Sequence, residues 1–214
     1  MIMLETVSGA GLREFTTRQK AAASLAQRIK QALLFELEQS ERATLVLSGG
    51  SSPVECFRIL STIGLPWHRV YVTLSDERNV QAAHAASNEK LLRKNLIRSK
   101  ASGATFAPLQ EGIGRLLPSA CSLIGMGEDG HFASLFPDSP ELTTGLTGDT
   151  DVVSVTTPSS PYSRTSMTLR SITTTRVLCL LVFGEIKREL LKSPQTYAIN
   201  HLLEAMPVEV FWAP

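Results

Sequence analysis

The sequence predicts an α/β fold: a Rossmann-like, mainly parallel sheet with helices on both faces. Two observations predict it. Short, continuous apolar runs alternate with helical patterns along most of the 214 residues, as expected of parallel strands buried on both sides. The unusual residues stand just after those runs, where ligands bind in open α/β sheets. Hydrophobic residues make up 43% of the chain and charged residues 19%, a globular composition. The length suits one domain, residues 1–214.

The elements follow in order. Phe15, Ala22, Leu25, Ile29, Leu33 and Leu37 recur at helical spacing, which predicts an amphipathic helix over Arg13–Gln39. ATLVLSGG is a buried strand running into glycines, and SSPVECFRILST a helix. RVYVTLSDE is a strand, SNEKLLRKNLI a helix and SACSLIGMG a strand. A stretch rich in Gly, Pro, Ser and Asp spans Glu128–Thr150. DVVSVTT and RTSMTL are extended. RVLCLLVFG is a strong strand, followed by helix EIKRELLKS, a last helix in SPQTYAINHLLEA and a last strand in VEVFW. Four segments, SGGSSP, SDER, GMGEDGH and FGEIK, fall at strand ends and are expected to converge on one crevice.

Net charge is +1, which argues against nucleic acid or an anionic membrane as partner. No apolar run reaches spanning length, and the N-terminus lacks a signal-peptide pattern. A cytoplasmic protein is the expectation. Cys56, Cys121 and Cys179 lie in apolar runs without Cys-x-x-Cys, so buried thiols are expected rather than a disulfide framework. No pair of histidines is spaced as metal ligands, and no metal is expected. His68, His84 and His201 read as structural or solvated.

Gly49, Gly50 and Ser51 precede a helix start in which Ser52, Pro53 and Glu55 resemble a capping box. Exposed N–H groups and the helix dipole favour an anion there. A tight turn without ligand accounts for the same residues equally well. Lys187 falls in the first turn of a helix, where a cation opposes the dipole; a nearby anion or plain solvent exposure explains it. Arg164 follows a Pro/Ser loop and opens a strand, facing either the crevice or the surface.

SLIGMGEDGHFASLFP contains G-x-G-x-x-G at Gly125, Gly127 and Gly130. A dinucleotide site is disfavoured. Glu128 and Asp129 would repel a pyrophosphate, and no helix start follows. Asp129 and His131 remain on a glycine-rich loop. Histidine is a natural proton acceptor for activating water, and a carboxylate, Asp129 or Asp76, would fix its tautomer. A structural loop histidine is the alternative. In SDER, Arg78 would meet phosphate or a developing oxyanion, or neutralise Asp76 and Glu77.

LSGGSSP, SDER with HAASN, GMGEDGHFASLFP, RTSMTL, VFGEIK and VEVFW stand in the order found in 6-phosphogluconolactonases, which this chain resembles over roughly Leu45–Trp212. The wider superfamily includes glucosamine-6-phosphate isomerases. The resemblance implies a Rossmann-like fold, no cofactor, and hydrolysis of 6-phospho-D-glucono-1,5-lactone to 6-phospho-D-gluconate in the oxidative pentose phosphate pathway. It implies His131 as general base and Asp76 and Asp129 as acids of the site. It assigns Arg78, Arg164 and Lys187 to phosphate and substrate, and Gly49, Gly50 and Ser51 to the sugar-phosphate loop.

The isomerases carry a Glu shortly after Asp-Gly-His, in a segment like FNEP; here the residue is Phe136, which cannot move a proton. That favours the lactonase over an amino-sugar phosphate isomerase or deaminase. Retention of both Asp129 and His131 disfavours a third possibility, a non-catalytic sugar-phosphate sensor. Two departures are visible. Ser99–Ser119 is short, as if a helix were trimmed, and GEIK stands where many members have Gly-x-x-Lys-Ala. The partner expected is the small phosphorylated lactone, and the chain itself a monomer or weak homodimer.

Overall fold

A computed structural model describes residues 5–7, 10–193 and 197–214. The strands are β1 (Glu5–Val7), β2 (Ala10–Glu14), β3 (Ala43–Leu47), β4 (Val70–Leu74), β5 (Asp76–Arg78), β6 (Thr105–Phe106), β7 (Cys121–Gly125), β8 (Val152–Val155), β9 (Arg164–Met167), β10 (Leu178–Phe183) and β11 (Val208–Ala213). The helices are α1 (Arg18–Gln39), α2 (Val54–Thr62), α3 (Asn88–Asn95), α4 (Leu142–Thr147), α5 (Leu169–Thr173), α6 (Glu185–Lys192) and α7 (Ala198–Ala205).

Among the described residues the main sheet runs β1-β2-β11-β10-β7-β3-β4-β6, and β5-β9-β8 form a second, smaller sheet. From β2 to β6 every pairing in the main sheet is parallel, and only the β1–β2 pair is antiparallel. Side chains of successive strand residues reach opposite faces. On β10, Cys179 and Leu181 therefore join the core under α1 and α2, while Leu178, Leu180 and Val182 join the core under α7. Both faces are covered, as the continuous apolar runs predicted.

The chain passes outward from β3 through β4 to β6, then returns to place β7 on the other side of β3. The strand order reverses between β3 and β7, so their C-terminal ends flank a natural crevice.

Several expectations are corrected. The helix predicted over 13–39 starts at Arg18. Thr17 caps it, accepting from Lys20 N–H, and Ala10–Glu14 is an extended strand parallel to β11. The capping box at Ser52 and Glu55 does not form. Pro53 itself is the N-cap, helical in backbone, and no side chain caps α2. RVYVTLSDE is not one strand. It leaves the main sheet at buried Ser75, whose N–H still reaches Leu47 O, and Asp76–Arg78 pair antiparallel with β9.

Short helix α4 lies within the stretch read as loop, and α5 shares only Leu169 with the segment RTSMTL read as extended. The last helix begins at Ala198; the Pro194–Thr196 part of its predicted span lies outside the described residues. The short 99–119 segment forms 3₁₀ turns at Ser99–Gly103 and Ile113–Leu116 and the edge strand β6, and no α-helix. All three cysteines are buried and free. Burial pushes the Cys56 thiol well above its usual range.

Candidate active site

A cavity of about 260 Å³ opens at the switch point. Its wall brings together Gly49, Gly50, Ser51, Asp76, Arg78, His131, Arg164 and Lys187. All four strand-end segments therefore meet there. Of the nine candidate catalytic and substrate residues, Asp129 alone is not part of this lining; it contacts His131.

The loop after β7 builds the end that carries His131. Gly127 N–H donates to His131 O at 2.9 Å, and Met126 bridges Phe132. The chain doubles back at once, with Ala133 at φ 49° and Leu135 N–H bonded to Phe132 O at 2.9 Å. Phe132 and Leu135 are fully buried, which pins the loop to the core while His131 stays at the cavity rim. Asp129 Oδ1 lies 2.6 Å from His131 Nδ1 and also accepts His131 N–H at 3.2 Å. An ionised carboxylate only accepts, so Nδ1 carries the proton and Nε2 keeps its lone pair. Gly127 is obligatory here: a Cβ would fall 2.2 Å from His131 Nδ1 and 2.4 Å from Asp129 Oδ1.

Asp76 does a different job from the one considered for it. It does not touch the imidazole. Its carboxylate is 5% exposed and accepts Ser134 Oγ–H at 2.6 Å and Ser75 Oγ–H at 3.2 Å. It lies 3.6 Å from the Arg164 guanidinium.

Arg78 and Arg164 are direct cross-strand partners in the β5–β9 register. Like charges so placed repel. Burial pulls the Arg164 guanidinium below the ordinary arginine value, Asp76 acts against that, and the Arg78 charge adds to it. Arg78 donates to Ala86 O at 2.7 Å and to Asn88 Oδ1 at 3.1 Å. Arg164 donates to Ser160 Oγ at 3.1 Å. The Nε of each arginine is buried without a partner among the described residues. Two crowded cations with spare donors favour an anion between or beside them.

The turn after β3 lines the same cavity. Gly50 adopts φ 85°, a left-handed conformation suited to glycine. A Cβ at Gly49 would fall 2.0 Å from Asn88 Oδ1. Among the described residues, the N–H groups of Gly49, Gly50, Ser51 and Ser52 have no protein acceptor. Lys187 enters from the first turn of α6, after Gly184 at φ 89°.

Sequence reasoning missed Asn88, Ser48 and Ser134. Asn88 is 2% exposed and bonds Asp76 O at 2.8 Å, linking the glycine turn to the small sheet. Glu77 is not a partner for the Arg78 side chain. It accepts Asn88 N–H and Glu89 N–H, each at 2.8 Å, and so seals the N-terminus of α3. The Ser-Asn helix start was visible in sequence, and Ser87 caps it by accepting Lys90 N–H; the second cap from Glu77 on β5 was not visible. His84 and His201 stand outside the cavity; His84 accepts Ala86 N–H through Nδ1.

Among the described residues no three His, Cys, Asp or Glu side chains gather to hold a metal, and no helix is long and apolar enough to cross a membrane.

A parallel sheet with a polar, cation-lined crevice at its switch point defines the class: an α/β enzyme of small molecules. A family model described as glucosamine-6-phosphate isomerases/6-phosphogluconolactonase matches residues 16–212. A 6-phosphogluconolactonase of Neisseria meningitidis is 36% identical, over 94% of this chain and 97% of that protein. One of Caulobacter vibrioides is 35% identical, over 84% and 85%. The crystal structure of a 6-phosphogluconolactonase from Shewanella baltica aligns over 100% of both chains, with a TM-score of 0.90 at 32% identity. The chain belongs to the glucosamine-6-phosphate isomerase/6-phosphogluconolactonase family, and these relatives put it on the lactone-hydrolase side.

Proposed function

We propose that this chain hydrolyses 6-phospho-D-glucono-1,5-lactone to 6-phospho-D-gluconate, serving the oxidative pentose phosphate pathway, with His131 as general base. One observation carries the proposal. An imidazole whose Nδ1 is held by Asp129 lines the same cavity as the glycine turn and three cations.

The phosphate docks against the N–H groups of Gly49, Gly50 and Ser51 and the cations Arg78, Arg164 and Lys187. Docking brings the lactone carbonyl beside His131. Nε2 takes a proton from water as the oxygen of that water bonds to C1. Arg78 or backbone N–H groups stabilise the oxyanion. The intermediate collapses with cleavage of the bond from C1 to the ring oxygen, and the imidazolium returns its proton to that oxygen. The product acid then ionises. Asp129 stabilises the imidazolium throughout, and Asp76 serves by holding Arg164. A lactone is already reactive, so anchoring plus one base suffices.

The test is acid release from freshly made 6-phosphogluconolactone, in the presence of chelator, for the wild type and His131→Ala. A positioned base contributes ~10²–10⁴-fold, and the variant is expected to lose about that much in kcat while keeping its circular dichroism spectrum. Wild-type turnover in His131→Ala removes the histidine from the mechanism. Ammonia release from glucosamine 6-phosphate by the wild type would instead mark a deaminase.

A further inference from the structure

We infer that Phe136 is a positioning residue for the reaction, a single ring that contacts both His131 and Arg164. This rests on the lactonase reading above. The side chain is 5% exposed and packs in the core with Phe132 and Leu135. Its ring centroid lies 4.2 Å from that of the His131 imidazole, with the planes tilted by 36°. The Arg164 guanidinium carbon sits 5.1 Å from the centroid of the same ring. No other aromatic side chain in the described residues contacts both groups.

The packing has a chemical consequence. The face of an aromatic ring is electron-rich and attracts cations. Arg164 is a permanent cation, and His131 becomes one each time it accepts a proton. The ring gives each a favourable contact. The ring also limits imidazole rotation, so that Nδ1 stays on Asp129. Its own placement is fixed through the loop: Ser139 N–H donates to Phe136 O at 3.2 Å, and Ser134, two residues earlier, bonds Asp76. Asp76 in turn lies against Arg164. Base and cation are thus located from one short segment, Ser134–Phe136.

Phe136→Leu keeps an apolar side chain but removes the π face; Phe136→Tyr keeps the ring. Both are compared with wild type in the lactone assay. Phe136→Leu is expected to lower kcat by about 10-fold, because a displaced base is costly. It should raise KM by about 3-fold, from the lost contact to Arg164. Phe136→Tyr should hold both within about 2-fold.

A second readout needs no substrate. Ring currents from Phe136 should move the His131 imidazole proton resonances away from those of the exposed histidines, and the displacement should vanish in Phe136→Leu. The His131 signal is assigned by its loss in His131→Ala. If Phe136→Leu keeps wild-type kcat and KM with only a lower melting temperature, or if Tyr behaves like Leu, the inference is overturned. A wild type without lactonase activity but with the displaced resonance would defeat the functional reading and leave the packing intact.

Discussion

The loop after β7 and the turn after β3 face each other across one crevice and are built in opposite ways. The first is closed upon itself. Asp129 Oδ1 accepts two hydrogen bonds from His131, Gly127 N–H donates to the His131 carbonyl, and Phe132 and Leu135 anchor the whole to the core. The second is left open, with Pro53 at the N-cap of α2 and no side chain capping the helix. A base must be held in one tautomer and one direction before substrate arrives. An anion site needs unpaired donors that the substrate itself satisfies. The difference in construction matches the difference between the tasks proposed for them.

The contrast can be broken most sharply at Gly127. A Cβ there collides with both His131 and Asp129, so Gly127→Ala should lower kcat by ~10²-fold or more, measured by acid release, with KM changed far less. A kcat loss below about 3-fold would mean the loop tolerates what its closed form forbids. At the open end the signature reverses. Arg164→Ala and Lys187→Ala should each raise KM by about 10-fold, the scale of one charge-assisted hydrogen bond, with smaller effects on kcat. Unchanged KM in both would move the phosphate elsewhere.

The smallest effect is expected away from the chemistry. Glu77→Ala removes the carboxylate that accepts the Asn88 and Glu89 N–H groups, which should cost about 1–2 kcal/mol of stability, read by urea denaturation. A loss of kcat equal to that of Gly127→Ala, with stability intact, would instead make Glu77 part of the reaction.

The main sheet was legible because its strands announce themselves. ATLVL, CSLIG and LCLLVF are continuous apolar runs, and each ends in glycines or polar residues that mark the crevice. The small sheet was not. DER and RTSM are short and polar, and their pairing depends on a contact between residues 76–78 and 164–166, which no local period encodes. The two arginines were visible individually; their position opposite each other was not. The helix start at Arg18 was misread because Phe15 fits the helical spacing, although its ring stacks on Phe211 from beyond the strand end. Thr17 was the available signal, a capping residue inside the predicted helix. The carboxylate for His131 was left between Asp129 and Asp76, and only tertiary structure separates them. Asp76 lies in a serine-lined niche beside Arg164, and Asp129 lies two residues from the imidazole it holds.

The most direct measurement is a crystal structure of the chain with 6-phospho-D-gluconate bound. The phosphate is expected on the N–H groups of the Gly49–Ser51 turn and the neighbouring cations, and the C1 carboxylate within about 3 Å of His131 Nε2. A sugar acid bound with its carboxylate away from that nitrogen, or with its phosphate clear of the turn and of every one of the three cations, would contradict the account.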